Sequence, residues 1–221
     1  MFYEPDKNDH GLKYNPFKSI CVPRPIAWVS SLSGGGVLNL APFSQFQNVA
    51  YDPPFVMFAP RANTDTARNV HETSEFVVNM ATYALREAVN VTSSVVAPGV
   101  DEAALAGLEM IPSRIVKPPR VALSPVQLEC RLFSTITIPG RLPDNCHSVI
   151  IGRVVGVHIR DDVLTPDGKI DIVKIRPLAR LGYLDYTSIE TSFTMPPPDG
   201  PNAERSKRGL EGRPELAAVE S

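Results

Sequence analysis

The chain has 221 residues, 22 basic against 24 acidic side chains, 43% hydrophobic residues and 22 prolines. A near-neutral balance gives no electrostatic case for nucleic acid or an anionic membrane surface, and the length suits one domain with elaborations. Proline at this frequency, paired at Pro53-Pro54 and Pro118-Pro119, removes backbone donors and argues against a mainly helical chain. Short apolar runs punctuated by proline and glycine point to a β-rich domain. Cys21, Cys130 and Cys146 are odd in number and widely spaced, so they read as reduced thiols of a cytoplasmic protein rather than a disulfide framework. The charged N-terminal segment lacks a signal-peptide apolar region, and no stretch reaches the apolar length of a membrane-spanning helix.

In chain order, residues 26–32 (IAWVSSL) and 37–51 (VLNLAPFSQFQNVAY) flank Ser33-Gly34-Gly35-Gly36, which predicts a hairpin around a glycine turn. In the second run Phe43, Gln45, Gln47 and Val49 share one face and Ser44, Phe46 and Asn48 the other. Neither face is cleanly apolar, as expected of a strand that lines a ligand site. Residues 55–59 (FVMFA) read as a buried strand. Residues 60–64 form a loop and 65–72 a short helix, with Asn63 or Thr64 as its cap. A strand is expected over 76–80 and helices over 83–92 and 101–108. Residues 126–138 and 148–159 are two long strands in antiparallel connection, with bends at Gly152 and Gly156. Residues 165–168 (TPDG) are a turn, and the segment through Ile189 is short and apolar. From residue 195 the composition turns to proline and charge, which marks a tail (195–221) outside a folded domain of residues 1–194. The architecture expected is one antiparallel barrel with two or three helices laid on it.

Gly34-Gly35-Gly36 lacks the downstream Gly-Lys-Ser/Thr of a phosphate loop and is followed by a β-run. His10, His71, His147 and His158 form no paired metal motif, and no nucleophile elbow is present. No metal site is expected.

Three segments carry a resemblance. They are Pro23-Arg24-Pro25-Ile26-Ala27-Trp28-Val29-Ser30-Ser31-Leu32 running into Asn39-Leu40-Ala41-Pro42-Phe43-Ser44-Gln45-Phe46; Asp65-Thr66-Ala67-Arg68-Asn69 followed by Glu75-Phe76-Val77-Val78-Asn79; and His147-Ser148-Val149-Ile150-Ile151-Gly152-Arg153-Val154 with Leu181-Gly182-Tyr183. In this order and spacing, over about positions 20 to 187, the chain resembles the flavin reductase-like family. The resemblance implies a mainly β fold, an antiparallel FMN-binding split barrel with a few peripheral helices, and a homodimer. It implies FMN as cofactor, NADH or NADPH as transient hydride donor, and a monooxygenase as one partner for the reduced flavin. It sets the flavin ring against Ser30, Ser31 and Leu32 and against Ser44, Gln45 and Phe46, with Asn48 nearby.

The loop from Arg61 through Thr64, Asp65 and Thr66 stands at a predicted helix N-terminus, where free amides and the helix dipole favour phosphate and Arg61 adds charge-assisted hydrogen bonds. Many relatives carry a lysine where Thr64 stands, so phosphate binding here would rest on Arg61, hydroxyls and backbone. His147 matches a histidine that in some relatives lies near the nicotinamide, where an imidazole orients the donor or supplies a proton. Each residue also has a plainer role: the serines and Gln45 as strand surface, Trp28 and Phe46 as core, Thr64 as a cap, His147 as an exposed strand-end histidine. Three functions stay open: an NAD(P)H:flavin oxidoreductase, an enzyme that retains FMN to act on an organic substrate, and a non-catalytic flavin-binding module.

Overall fold

The computed structural model describes residues 1–97 and 99–196. Met1–Glu190 form one compact unit. Residues 191–196 carry no regular secondary structure, and the rest of the expected tail lies outside the described residues.

The strands and α-helices run β1 (Arg24–Pro25), β2 (Ala27–Leu32), β3 (Leu38–Phe43), β4 (Phe46–Tyr51) and β5 (Pro54–Phe58), then α1 (Asp65–Thr73) and β6 (Glu75–Met80). Next come α2 (Arg86–Val91), α3 (Glu102–Leu105), β7 (Met110–Ile111) and β8 (Arg120–Val121). The long pair β9 (Val126–Ile138) and β10 (His147–Ile159) is followed by α4 (Ile172–Ile175), β11 (Leu178–Gly182) and β12 (Asp185–Ser188).

Seven strands pair in the order β3-β2-β6-β9-β10-β5-β4, every pairing antiparallel. β3 and β4 stand at opposite edges, yet only Ser44 and Gln45 lie between them. Flat, the edges of such a sheet would be about 29 Å apart at a strand spacing of about 4.8 Å. A two-residue connection spans about 10 Å at full extension. The sheet must therefore roll until its edges meet, which makes a barrel split between β3 and β4. Ala59 N donates to Gln45 O at 2.9 Å and ties the corner to the exit of β5. The single run expected over 37–51 is thus two strands broken at this corner. Its mixed faces reflect a change of sheet edge.

β2 is buried on both faces. Ala27 and Val29 face the barrel interior with Val56, Phe58, Phe76, Val78, Cys130, Ile150 and the inward Ala67 and Val70 of α1. Ile26 and Trp28 face the other way, onto Leu40, Val89, Ala103 and Leu178. α1 starts at Thr64, whose extended backbone and side chain cap Ala67 N, and stops at Ser74 in the left-handed region (φ 60°), whose amide returns to Val70 O. The register of β10 on β9 shifts between Ile151 and Gly152 and again between Val154 and Gly156, so the bends expected at both glycines coincide with bulges.

Some expectations change in detail. The helix over 83–92 is a 3-10 turn (Tyr83–Leu85) followed by α2, and the helix over 101–108 contracts to α3. The segment through residue 189 holds β11 and β12, which join β1 in a three-stranded sheet. His147 is the first residue of β10 rather than a residue before the strand.

Candidate functional site

One groove of about 470 Å³ opens along β3 beside the start of α1, within the size range of small-molecule sites. Asn39, Ala41, Pro42 and Phe43 line it from β3; Arg61, Asn63, Thr64, Asp65 and Thr66 line it from the α1 entry; residues 92–96 and Glu102 complete it. Among the described lining residues Arg61 is the sole cation, set against Asp65 and Glu102.

The α1 entry is ordered by its own side chains. Thr64 Oγ1 donates to Arg61 O at 2.9 Å and accepts from Ala67 N at 3.3 Å. The amides of Asp65 and Thr66 come before the first intrahelical bond and have no helical acceptor. Asp65 pairs with Arg68. Thr66 Oγ1 accepts from Asn39 Nδ2 at 2.8 Å, which anchors the helix start to β3. Glu102 is almost buried at 6% exposure, with Oε2 accepting from Leu40 N at 3.1 Å. Burial pushes its carboxyl up; the amides of Leu40 and Glu102 pull it down, Asp65 and Asp101 push it further up, and the outcome is raised.

At the Phe43 end the backbone gathers three of the predicted residues. Arg61 bridges His147, Ala62 N donates to Cys146 O at 2.9 Å, Ser148 N to Pro60 O at 3.0 Å, and Ala59 N to Gln45 O. Gln45, Arg61 and His147 therefore stand along one rim. His147 Nδ1 lies 3.2 Å from Asn145 O. A carbonyl only accepts, so Nδ1 carries the proton in that bond and Nε2 is left as the acceptor atom of a neutral ring.

Ser30 and Ser31 are fully buried behind the groove. Ser30 Oγ donates to Pro119 O at 2.5 Å and takes Asn79 Nδ2 at 3.2 Å, and Ser31 Oγ accepts from Asn69 Nδ2 of α1 at 3.2 Å. Leu32 is half-buried, as are Ser44 and Phe46; Phe46 packs on the barrel core. Asn48 is exposed on edge strand β4, where Oδ1 accepts from Gln47 Nε2. None of the ring-side residues expected from sequence lines the groove, and Ser44 and Gln45 adjoin it only through their neighbour Phe43. Asn39, Phe43, Glu102 and residues 92–96 line it without having been singled out. Glu102 leaves no local signal, because it reaches the groove only through the packing of α3 on β3.

A second cleft of about 470 Å³ lies between α2 and β12, lined by Tyr83, Arg86, Asn90 and Tyr186 among others. Arg86, the cation of this lining, stacks on Tyr83, as Arg176 does from outside it. Arg61 of the first groove has no such aromatic partner among the described residues, and it stands beside the helix-start amides of α1.

Residues 19–180 match the flavin reductase like domain family. The chain belongs to this family. A crystal structure of nitrilotriacetate monooxygenase component B from Bacillus cereus is 30% identical, with a TM-score of 0.81 over 88% of this chain and 98% of that one. The 2-nitrobenzoate 2-nitroreductase NbaA of Pseudomonas fluorescens is 27% identical, with a TM-score of 0.78 over 90% and 96%. An uncharacterized protein of Halalkalibacterium halodurans is 36% identical over 203 residues, covering 90% of this chain and 97% of the relative. The flavin reductase-like fold thus accounts for the split barrel, and the groove lies inside the matched residues. Among the described residues no helix is long and apolar enough to cross a membrane.

Proposed function

We propose that this flavin reductase-like protein binds FMN in the groove along β3 and uses NADH or NADPH to reduce it. The observation that carries the reading is the meeting, in one groove of flavin-compatible size, of Arg61, the first-turn amides of α1 that lack a helical acceptor and the Phe43 side chain. Arg61 and the amides of Asp65 and Thr66 hold the phosphate. Thr64 acts as the cap that presents those amides. Phe43 covers apolar ring surface, and Gln45 offers its amide at the rim. Ser31 acts through Asn69 as a positioning residue for α1, and Ser30 does the same for the segment at Pro119. FMN, when bound, supplies hydride acceptance and electron release. His147 Nε2 orients the donor carboxamide or holds a proton beside the ring.

The test is the absorption spectrum of dialysed protein, followed by NADH and NADPH oxidation with and without added FMN. Oxidation that depends on added flavin supports the reading; a colourless protein that binds no FMN on titration and oxidises neither nicotinamide sinks it. Arg61→Ala is expected to weaken FMN binding by about 10- to 100-fold, the worth of hydrogen bonds to a charged group, while riboflavin affinity changes little. The similarity to component B of a monooxygenase supports a partner that consumes reduced flavin. The similarity to a nitroreductase supports a second reading, retained FMN acting on an organic substrate; FMN that survives dialysis with little nicotinamide oxidation would favour it.

The outer face of the barrel favours a homodimer. Ile150, Gly152 and Val154 point inward, so Val149 and Ile151 point out and pair across with Ile136 and Met57. Phe133 (67% exposed), Ile136 and Ile138 extend this face, with Phe133 edge-on to Phe55 at 4.9 Å. A largely apolar sheet face of this kind, interrupted by Ser134 opposite Ile151, is one that a second copy covers, and Ile138 pairs with His147, which sets the partner beside the proposed reactive rim. Phe133→Glu with Ile136→Lys is expected to halve the mass seen by light scattering. An unchanged mass would remove this face as the interface.

A further inference from the structure

The groove holds an acid for which the flavin reading has no role. Glu102 lines it beside Asp65 and Thr66, almost fully buried, with one carboxylate oxygen fixed by Leu40 N. The charged groups around it are few. α1 contributes Asp65 with its partner Arg68, the loop ahead of α1 contributes Arg61, and its own element contributes Asp101. The β3 lining residues and residues 92–96 contribute no charge. A phosphate arriving at α1 therefore enters next to two carboxylates, with one cation lining the groove to offset them. Taking a carboxylate out of water already favours its neutral form, and a dianion brought alongside favours it further.

Resting on the reading that the groove takes FMN, we propose that Glu102 carries a proton when FMN is bound, so that this side chain makes selection of phosphorylated over unphosphorylated flavin pH-dependent. Neutral Glu102 removes one of the two carboxylate repulsions in the groove and gives the side chain an O–H donor. The proton comes from solvent, and binding and uptake are linked reciprocally. The raised carboxyl of the free protein agrees in direction.

The experiment titrates FMN and riboflavin into wild type and Glu102→Gln between pH 7 and 9, above the second phosphate ionisation near about 6. Calorimetry of the wild type in two buffers of different ionisation enthalpy accompanies it. The wild-type Kd for FMN is expected to rise by up to about tenfold per pH unit, the slope of one linked proton, while riboflavin stays flat. Glu102→Gln should bind FMN with no such slope, and wild-type calorimetry should register proton uptake with FMN and none with riboflavin. Equal slopes in the two proteins, or FMN binding without proton uptake, overturn the inference and leave the flavin groove standing. If neither flavin binds the wild type at any pH, the groove reading and this inference fall together. The calorimetry needs only the wild-type chain and stays decisive if the variant folds poorly.

Discussion

Glu129→Ala is expected to lower the unfolding free energy by about 3–5 kcal/mol, the range for removing one partner of a buried charged cluster, as read from urea unfolding midpoints. Glu129 is fully buried on β9. Its carboxylate accepts from Arg114 N at 2.8 Å, Ile115 N at 2.6 Å and Val116 N at 3.0 Å, with His158 Nε2 at 2.5 Å. Alanine would leave those three amides with no acceptor in a closed site. Burial by itself pushes the carboxyl up, but the amide bonds and His158 outweigh it and hold the group at about 2. A carboxyl depressed below its unfolded value stabilises fully above that value and loses the contribution as pH falls through the folded one. Stability from Glu129, about 3 kcal/mol at neutral pH, should therefore drain away between the ordinary carboxylate range and about pH 2. Glu129→Gln should show a flatter acid limb in the same titration. If the two proteins lose stability in parallel over that range, the amide cage is not what holds the segment at 114–116.

The second large effect is expected at Gly152. A Cβ there would fall well inside contact distance of Phe76 Cζ and 2.8 Å from Cε1. Phe76 is itself fully buried and packed at a tilt against Phe58, with ring centroids 5.3 Å apart, so the ring has little room to move. Gly152→Ala should cost about 3 kcal/mol, at the upper end of ordinary overpacking. Gly156→Ala is the control. Its Cβ would meet Ile115 Cδ1 at 3.2 Å and Glu129 Cβ at 3.4 Å, a tight fit against a flexible side-chain tip, and under about 1 kcal/mol is expected. Equal losses at the two positions would mean that bulge geometry, not the Phe76 ring, demands glycine.

The contrast between these glycines also marks what local sequence can convey. Both sit inside a strand pattern and both mark bulges, which is legible because glycine in a strand signals a bend. That one is crushed under Phe76 and the other is not depends on a residue about 75 positions away in the chain, and no local pattern carries it. β9 was legible to the residue because a long β-favouring run is bounded by proline, and α1 because Thr64 caps a short amphipathic turn. The break at Ser44-Gln45 was illegible, since Phe43 through Val49 keeps strand-like composition while the chain changes sheet edge. The site divides in the same way. Arg61 and the α1 entry follow from a loop running into a helix. Ser30 and Ser31 look like polar strand surface until β6 and α1 cover them, and Glu102 becomes a groove residue only once α3 docks on β3.

The two-residue corner also bears on how the protein comes apart. Because Ser44-Gln45 joins the first and last strands of the hydrogen-bonded order, it reaches its native position only when β2, β6, β9, β10 and β5 are all in register. β3 supplies the groove floor on one side of that corner, and the Ala59–Gln45 bond closes the rim on the other. The groove thus draws its lining from β3 and the α1 entry on one side of the corner and its rim tie from β5 on the other, and global unfolding dismantles both. A ligand held there should slow exchange of the most protected strand amides along with those of its own loop, because the reaction it opposes is global unfolding.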